Sequence, residues 1–276
     1  MRPARICIIA GSDSGGGAGI QADIKTVTAL GGYAMTAVTA LTAQNTLGVQ
    51  GVEGVAPDFI RAQMESVLRD IGADALKTGM LHSPAVIEVV AETLAREAAD
   101  VPLIVDPVMV AQSGDRLVGN EAMAMLREVL IPRAQLITPN LPEAEALLGR
   151  PVDDEQTMAE AAEALRALGC EAVLLKGGHL GGESLVDILA GPEGVLRFEH
   201  ERIDTRADHG TGCTLASAVA EGIGRGLPRS MAVDRGRRYL RRALETAVPL
   251  GSGHGPVNHG HTVAPFALPS TGGELS

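Results

Sequence analysis

Short apolar runs alternate with longer amphipathic stretches along this chain. The runs Arg5–Ala10, Ala75–Lys77, Leu103–Asp106, Leu136–Thr138 and Ala172–Lys176 are rich in Ile, Val and Leu. Bounded by helical patterns, such runs predict strands of a parallel sheet covered on both faces. Helical spacing predicts helices over Pro57–Arg69, Pro84–Glu97, Glu121–Leu130, Pro142–Leu148, Glu155–Leu168, Gly212–Arg225 and Ser230–Ala247, with a first helix beginning near Gln21. The alternation predicts a layered α/β fold with right-handed crossovers. Tyr33–Ala40 and Val49–Val55 are β-prone and predict a small β flap at the sheet edge. Leu185–Ala190 and Val195–His200, joined at Gly191-Pro192, predict a hairpin. No linker, repeat or composition break interrupts the pattern, so residues 1–276 read as one domain, with 267–276 expected as a disordered tail.

The polar residues fall at strand ends. Ile8-Ile9-Ala10 runs into Gly11-Ser12-Asp13, and Ile104-Val105 into Asp106. Leu136-Ile137 runs into Thr138-Pro139-Asn140, and Leu174-Leu175 into Lys176-Gly177-Gly178. In an open α/β sheet, ligands bind beyond the carboxyl ends of the parallel strands. Four strands delivering Asp, Asn, Lys and glycine-rich turns to one edge predict a ligand site there.

Two loops sharpen that expectation. His209-Gly210-Thr211-Gly212-Cys213-Thr214 precedes an Ala-rich helix. Small residues at a helix start let backbone N–H groups approach an anion, and the helix dipole favours negative charge there. A thiol at Cys213, in the first turn, is expected to have its pKa lowered by the same dipole. Gly15-Gly16-Gly17-Ala18-Gly19 follows the first strand and allows close approach of a ligand. Asp23, four residues on, is expected to face the same pocket. Gln44 lies between the two flap strands, where an amide offers a heteroaromatic ring edge both a donor and an acceptor. The spacing is neither a Walker A loop nor the GxGxxG of a dinucleotide-binding dehydrogenase.

Composition narrows the partners. Lys and Arg number 23 against 34 Asp and Glu, a net charge of −11, and aromatics are 2% with no Trp. An acidic chain without a basic block is a poor ligand for nucleic acid or an anionic membrane surface. Cys7, Cys170 and Cys213 are too far apart in sequence for a disulfide framework or zinc site, and reduced thiols fit a cytoplasmic protein. The N-terminal apolar run is too short for a signal peptide, and no run approaches a membrane span. Leu268-Pro269-Ser270-Thr271-Gly272 matches a sortase pattern, but only a short polar segment follows it, so it reads as coincidence. Of the 34 glycines, more than half collect at 11–19, 31–32, 177–182, 210–212 and from 251 onward.

Residues 10–23 (AGSDSGGGAGIQAD) resemble the N-terminal motif of bacterial hydroxymethylpyrimidine/phosphomethylpyrimidine kinases, thiamine-biosynthesis enzymes of the ribokinase-like superfamily. The resemblance continues through residues 39–46 (TALTAQNT), 77–80 (KTGM), 105–109 (VDPVM), 113–115 (SGD), 138–145 (TPNLPEAE), 175–179 (LKGGH) and 209–214 (HGTGCT), in order over roughly residues 5–260. Ribokinase-like sugar kinases usually carry Asp where Cys213 stands.

The resemblance implies a three-layer α/β/α sandwich with a mostly parallel central sheet. It implies ATP-dependent phosphorylation of 4-amino-5-hydroxymethyl-2-methylpyrimidine to its monophosphate and then to the diphosphate. Mapped by motif, Gly11, Asp23, Gln44, Met80 and Val108 line the pyrimidine pocket. Lys176, with Asn140, Thr211 and Gly212, meets ATP. Asp106 and Glu143 organise Mg²⁺. Gly210, Thr211, Gly212 and Cys213 form the anion hole, with Cys213 beside the reacting hydroxymethyl as base or as positioning group. A homodimer is also implied. A pyridoxal or pyridoxine kinase, alone or with dual specificity, is the alternative on the same fold; a non-catalytic pyrimidine sensor is a third reading. Asp208 and Asn258 depart from the family pattern, and a carboxylate at 208 is expected to be awkward beside phosphates unless it points outward.

Overall fold

The first strand, β1 (Arg5–Asp13), shows how the layers arise. Ile6, Ile8 and Ala10 enter one core, and Cys7 and Ile9 enter the other. Successive side chains of a strand point to opposite faces, so an unbroken apolar run must be covered twice. The same division recurs at Leu103 and Val105 against Ile104, and at Val173 and Leu175 against Leu174.

The computed structural model describes residues 2–109, 119–178, 180–181 and 184–264. The other strands are β2 (Tyr33–Asn45), β3 (Gly48–Gly54), β4 (Ala75–Thr78), β5 (Leu103–Val105), β6 (Leu136–Ile137), β7 (Val173–Lys176), β8 (Ser184–Gly191) and β9 (Gly194–Glu201). They join one nine-stranded sheet in the order β3-β2-β1-β4-β5-β6-β7-β8-β9. From β2 to β7 all neighbours are parallel. The two edges, β3 and the β8–β9 hairpin, are antiparallel.

The helices are α1 (Gly19–Ala29), α2 (Pro57–Asp70), α3 (Pro84–Glu97), α4 (Asn120–Met125), α5 (Leu141–Leu148), α6 (Glu155–Arg166), α7 (Thr211–Gly224) and α8 (Arg229–Glu245). One core takes Ile60 and Met64 of α2, Val86 to Leu94 of α3, Leu147 of α5 and Leu165 of α6. The opposite core takes Val27 of α1, Leu215 and Val219 of α7 and Val233 of α8. This is the expected three-layer α/β/α sandwich.

One expectation is sharpened and one corrected. The first half of the stretch expected as a small flap at the sheet edge also pairs with β1: Arg5 to Ala10 pair in parallel with Tyr33 to Val38. Only the far half of β2 carries β3, with Ala40 to Asn45 opposite Gly54 to Gly48. Alternating small residues and threonines hide a central strand that large aliphatics would reveal. The helix expected over Glu121–Leu130 is α-helical only to Met125. A π turn spans Leu126–Leu130, and a 3₁₀ turn follows at Ile131–Arg133. Pro132 brings no N–H to extend the ladder. The motif at 113–115, His179 and the tail 267–276 lie outside the described residues.

Candidate active site

Because β1, β2 and β4 to β7 run parallel, their carboxyl ends meet at one edge. A cleft of about 490 Å³ opens there. It is lined by Gly11, Gln44, Met80, Val108, Asp106, Asn140, Glu143, Lys176, Gly210, Thr211, Gly212 and Cys213. Every site residue expected from sequence lines it except Asp23.

Asp23 is the correction. Its side chain is fully buried one turn into α1, where it holds Lys77 through contacts of 3.0 and 3.1 Å and accepts from Ser217 Oγ at 2.6 Å. Spacing placed it near the glycine loop, but the rotation of α1 turns it toward β4 and α7, away from the cleft surface.

At the anion end, Gly210 caps α7 in the left-handed region at φ +85°, and no side chain caps the helix. The Gly212 and Cys213 N–H groups, lacking helical carbonyls four residues earlier, are open to an acceptor, whereas the Thr211 N–H donates to Asp208 O at 3.3 Å. A Cβ on Gly212 would stand 3.3 Å from Lys176 Nζ and 3.8 Å from Asp106 Oδ2, so amides, ammonium and carboxylate converge. Lys176 pairs with Asp106 Oδ1 at 3.4 Å, which also accepts from Thr138 at 3.0 Å. Burial opposes the Lys176 charge, but Asp106 and Glu143 outweigh it and hold the ammonium above its ordinary value. Asn140 and Glu143 form the capping box of α5: Asn140 Oδ1 accepts from the Glu143 N–H at 2.9 Å, and Glu143 accepts from the Asn140 N–H at 2.8 Å. Burial, reinforced by Asp106, pushes Glu143 up to about 7.

Cys213 departs from expectation. It is partly exposed to the cleft. Even so, the surrounding protein pushes its thiol up to about 12, although Lys77 and the Gly19 N–H pull the other way. Desolvation therefore overrides the helix dipole that suggested a lowered value, and the group rests as a thiol at neutral pH.

The loop–loop contact that shapes the cleft was missed from sequence. Asp13 accepts the N–H groups of Gly15, Gly17 and Ala18 at 2.8, 3.0 and 2.8 Å and meets His209 Nε2 at 2.9 Å. Burial alone would raise Asp13; His209 and the backbone donors outweigh it and hold the carboxyl below its usual value. The two glycine loops interlock, since a Cβ on Gly210 would come to 1.8 Å from Gly17 O. At the ring end, Gly11 and Met80 touch, because a Cβ at 11 would stand 2.6 Å from Met80 Cε. Gln44 Oε1 accepts from Thr42 Oγ1 at 3.0 Å, and its Nε2 lies 3.5 Å from His209 Nε2. Asp208 lines the same cleft, with its Oδ1 2.7 Å from His254 Nδ1.

Sequence reading also missed the far wall. Leu185, His200 to Thr205 and the α8 face of Arg237, Leu240, Arg241 and Leu244 extend the cleft beyond Lys176. The one sequence signal was the run of arginines at 235, 237, 238, 241 and 242 in an acidic chain.

Residues 13–258 match the family described as phosphomethylpyrimidine kinase. The chain is 50% identical to a thiamine biosynthesis bifunctional protein of Geobacter sulfurreducens over 92% of its own length, and it spans about half (52%) of that longer protein. It is 48% identical to the hydroxymethylpyrimidine/phosphomethylpyrimidine kinase of Streptomyces coelicolor, covering 94% of this chain and 96% of the relative. Its structure resembles the ADP complex of Bacillus subtilis pyridoxal kinase, with a TM-score of 0.87 and 38% identity over 94% of this chain and 98% of the other. The fold is ribokinase-like, the two glycine loops line one cleft, and the chain belongs to the phosphomethylpyrimidine kinase family.

Proposed function

We propose that the chain phosphorylates 4-amino-5-hydroxymethyl-2-methylpyrimidine with ATP, first to the monophosphate and then to the diphosphate. The observation that carries this reading is the convergence of the α7 first-turn amides, Lys176 and Asp106 at one point, with Gly11, Gln44, Met80 and Val108 across the same cleft. Phosphoryl transfer demands positioning and charge neutralisation. The substrate hydroxyl oxygen attacks the γ-phosphorus, the bond to the β-phosphate oxygen breaks, and ADP leaves. Lys176 and the amides of Gly212 and Cys213 take up the charge on the transferred group. In the second step a phosphate oxygen of the monophosphate is the attacking atom. We assign the base to the apolar wall of Leu185, Ile203, Leu240 and Leu244, which leads to Lys176.

Asp106 and Glu143 suit a divalent cation. Both are buried and face each other closely enough to raise Glu143. Among the described residues no three His, Cys, Asp or Glu side chains could hold a metal by themselves. That matches Mg²⁺, which takes one or two carboxylates and completes its shell with phosphate oxygens and water. Bound there, it would neutralise charge on the nucleotide phosphates.

The test is an ATP-dependent assay on the free pyrimidine alcohol, following mono- and diphosphate separately; absence of both products overturns the reading. Likeness to a pyridoxal kinase supports a second activity, checked by measuring pyridoxal turnover side by side. A homodimer accords with the half-exposed Tyr33, Leu41, Val52 and Phe59 on and beside β2 and β3; mass from light scattering tests it. Three free cysteines accord with a cytoplasmic setting, which cell fractionation tests. No helix among the described residues is long and apolar enough to cross a membrane.

A further inference from the structure

At the cleft floor, Lys77 of β4 is completely buried, and its Nζ is held by both oxygens of Asp23. Cys213 and Ser217 stand one turn apart on α7 and so share a face. Ser217 donates to Asp23 Oδ1 at 2.6 Å, which turns that face onto the ion pair. Lys77 itself lines the cleft floor, and a Cβ on its neighbour there, Gly79, would stand 3.0 Å from Lys77 Nζ. An ammonium has three N–H donors, and Asp23 engages two. Buried ion pairs seldom add stability over a well-packed apolar pair, because desolvating both charges offsets their attraction.

We propose that the Lys77–Asp23 pair is a positioning element for Cys213: Lys77 supplies the positive charge that balances the sulfur when its proton leaves, and Asp23, anchored by Ser217, sets how much of that charge the sulfur feels. The meaning for turnover rests on the kinase reading above; the coupling of charges does not. When the S–H bond breaks, the proton passes to solvent or to an oxygen bound in the cleft, and the negative sulfur lies against the ammonium. The charges facing the sulfur are Lys77 from β4, Asp23 from α1, Asp106 beyond β5 and Lys176 from β7, with the Gly19 N–H as a neutral donor. Lys77 favours the thiolate more strongly than Asp23 opposes it.

Alkylation of Cys213 by iodoacetamide between pH 7 and 10 (the ordinary thiol range), read from the mass of its peptide, tests the coupling. Cys7 and Cys170 are buried, so the reagent reports on Cys213. Asp23→Asn should speed alkylation about tenfold, the equivalent of one pKa unit, because Lys77 is freed toward the sulfur. Lys77→Met should slow it. Lys77→Met with Asp23→Asn should also slow it, and this neutral pair stands in if Lys77→Met alone leaves Asp23 too costly to bury. Rates for Asp23→Asn and for the double variant both within about twofold of wild type would overturn the proposal, since a one-unit coupling predicts more. The assay uses neither ATP nor pyrimidine, so it fails separately from the kinase reading.

Discussion

Replacing Gly210 by Ala perturbs the site without removing any functional group. Gly210 sits at φ +85°, where a Cβ costs about 1–2 kcal/mol in any context. The new Cβ would also stand 1.8 Å from Gly17 O, and relief to 3.0 Å requires the two backbones to part by about 1.2 Å. Gly17 resists retreat because its N–H is held by Asp13 at 3.0 Å. The first turn of α7 therefore moves, and with it the amides aimed at the transferred phosphoryl group. A misplacement of that size costs about 10²-fold in rate. Gly226 supplies the control: its φ is +88°, and nothing lies within 4 Å of a Cβ there. Gly226→Ala should lose stability alone, a fall in Tm of about 2–4 °C per kcal/mol, with kcat unchanged. Thermal denaturation and an ADP-release assay with the pyrimidine alcohol separate the two effects. If Gly210→Ala keeps kcat within about fivefold of Gly226→Ala, a barrier change under about 1 kcal/mol, the interlock does not position the anion loop.

Lys176→Met should weaken ATP binding at least tenfold and lower kcat by about 10²–10³, as loss of one charged stabiliser does, by titration calorimetry and turnover. Glu143, raised to about 7 by burial beside Asp106, binds its proton more tightly folded than unfolded. Its ionised form therefore costs stability, by an amount that is absent below the unfolded value near 4.3, grows as pH rises and levels off above about 7. Glu143→Gln keeps the cap and should raise Tm at pH 8 but not at pH 4; equal shifts at both would contradict this. Asp208→Asn should leave kcat within about threefold, because its carboxylate faces His254 across an exposed pair of the kind worth under about 1 kcal/mol. Cys213→Ala with unchanged kcat, measured by turnover, would exclude the base role.

The parallel strands were legible because a strand covered on both faces must be apolar throughout, as Ile6 to Ala10 and Val173 to Leu175 are. Their polar ends located the cleft, since parallel strands deliver every C-terminal turn to one edge. β2 was read as β-prone, but its place beside β1 was not legible because Ala37, Thr39 and Ala40 carry much of its interior, and their packing depends on neighbours far along the chain. The Asp23 error has a simple geometry: residue spacing measures distance along α1, whereas the facing direction is set by where α1 docks against β4 and α7. Asp13 and His209, 196 residues apart, leave no local signal for their contact. The α8 wall was hidden because arginines on a helix read as a solvated face until His200 to Thr205 is brought opposite them.

The last glycine cluster shows what local motifs omit. Gly253 lies so close to the β2–β3 turn that a Cβ would stand 1.9 Å from Thr46 O, and the N–H of His254 donates to that same oxygen at 2.9 Å. Two residues later the chain reaches the other loop, where His209 N–H donates to Gly255 O at 3.0 Å. Thr46 follows Gln44 at the ring end of the cleft, and His209 precedes Gly210 at the anion end. This segment thus ties the β2–β3 turn to the loop before α7 and fixes the distance between the two ends of the cleft. The glycines there serve backbone contact with loops more than 40 residues away in sequence. Asp208 belongs to the same clamp, since its partner His254 makes one of the two anchoring hydrogen bonds. The carboxylate that looked awkward beside phosphates is therefore engaged by the segment that links the two loops.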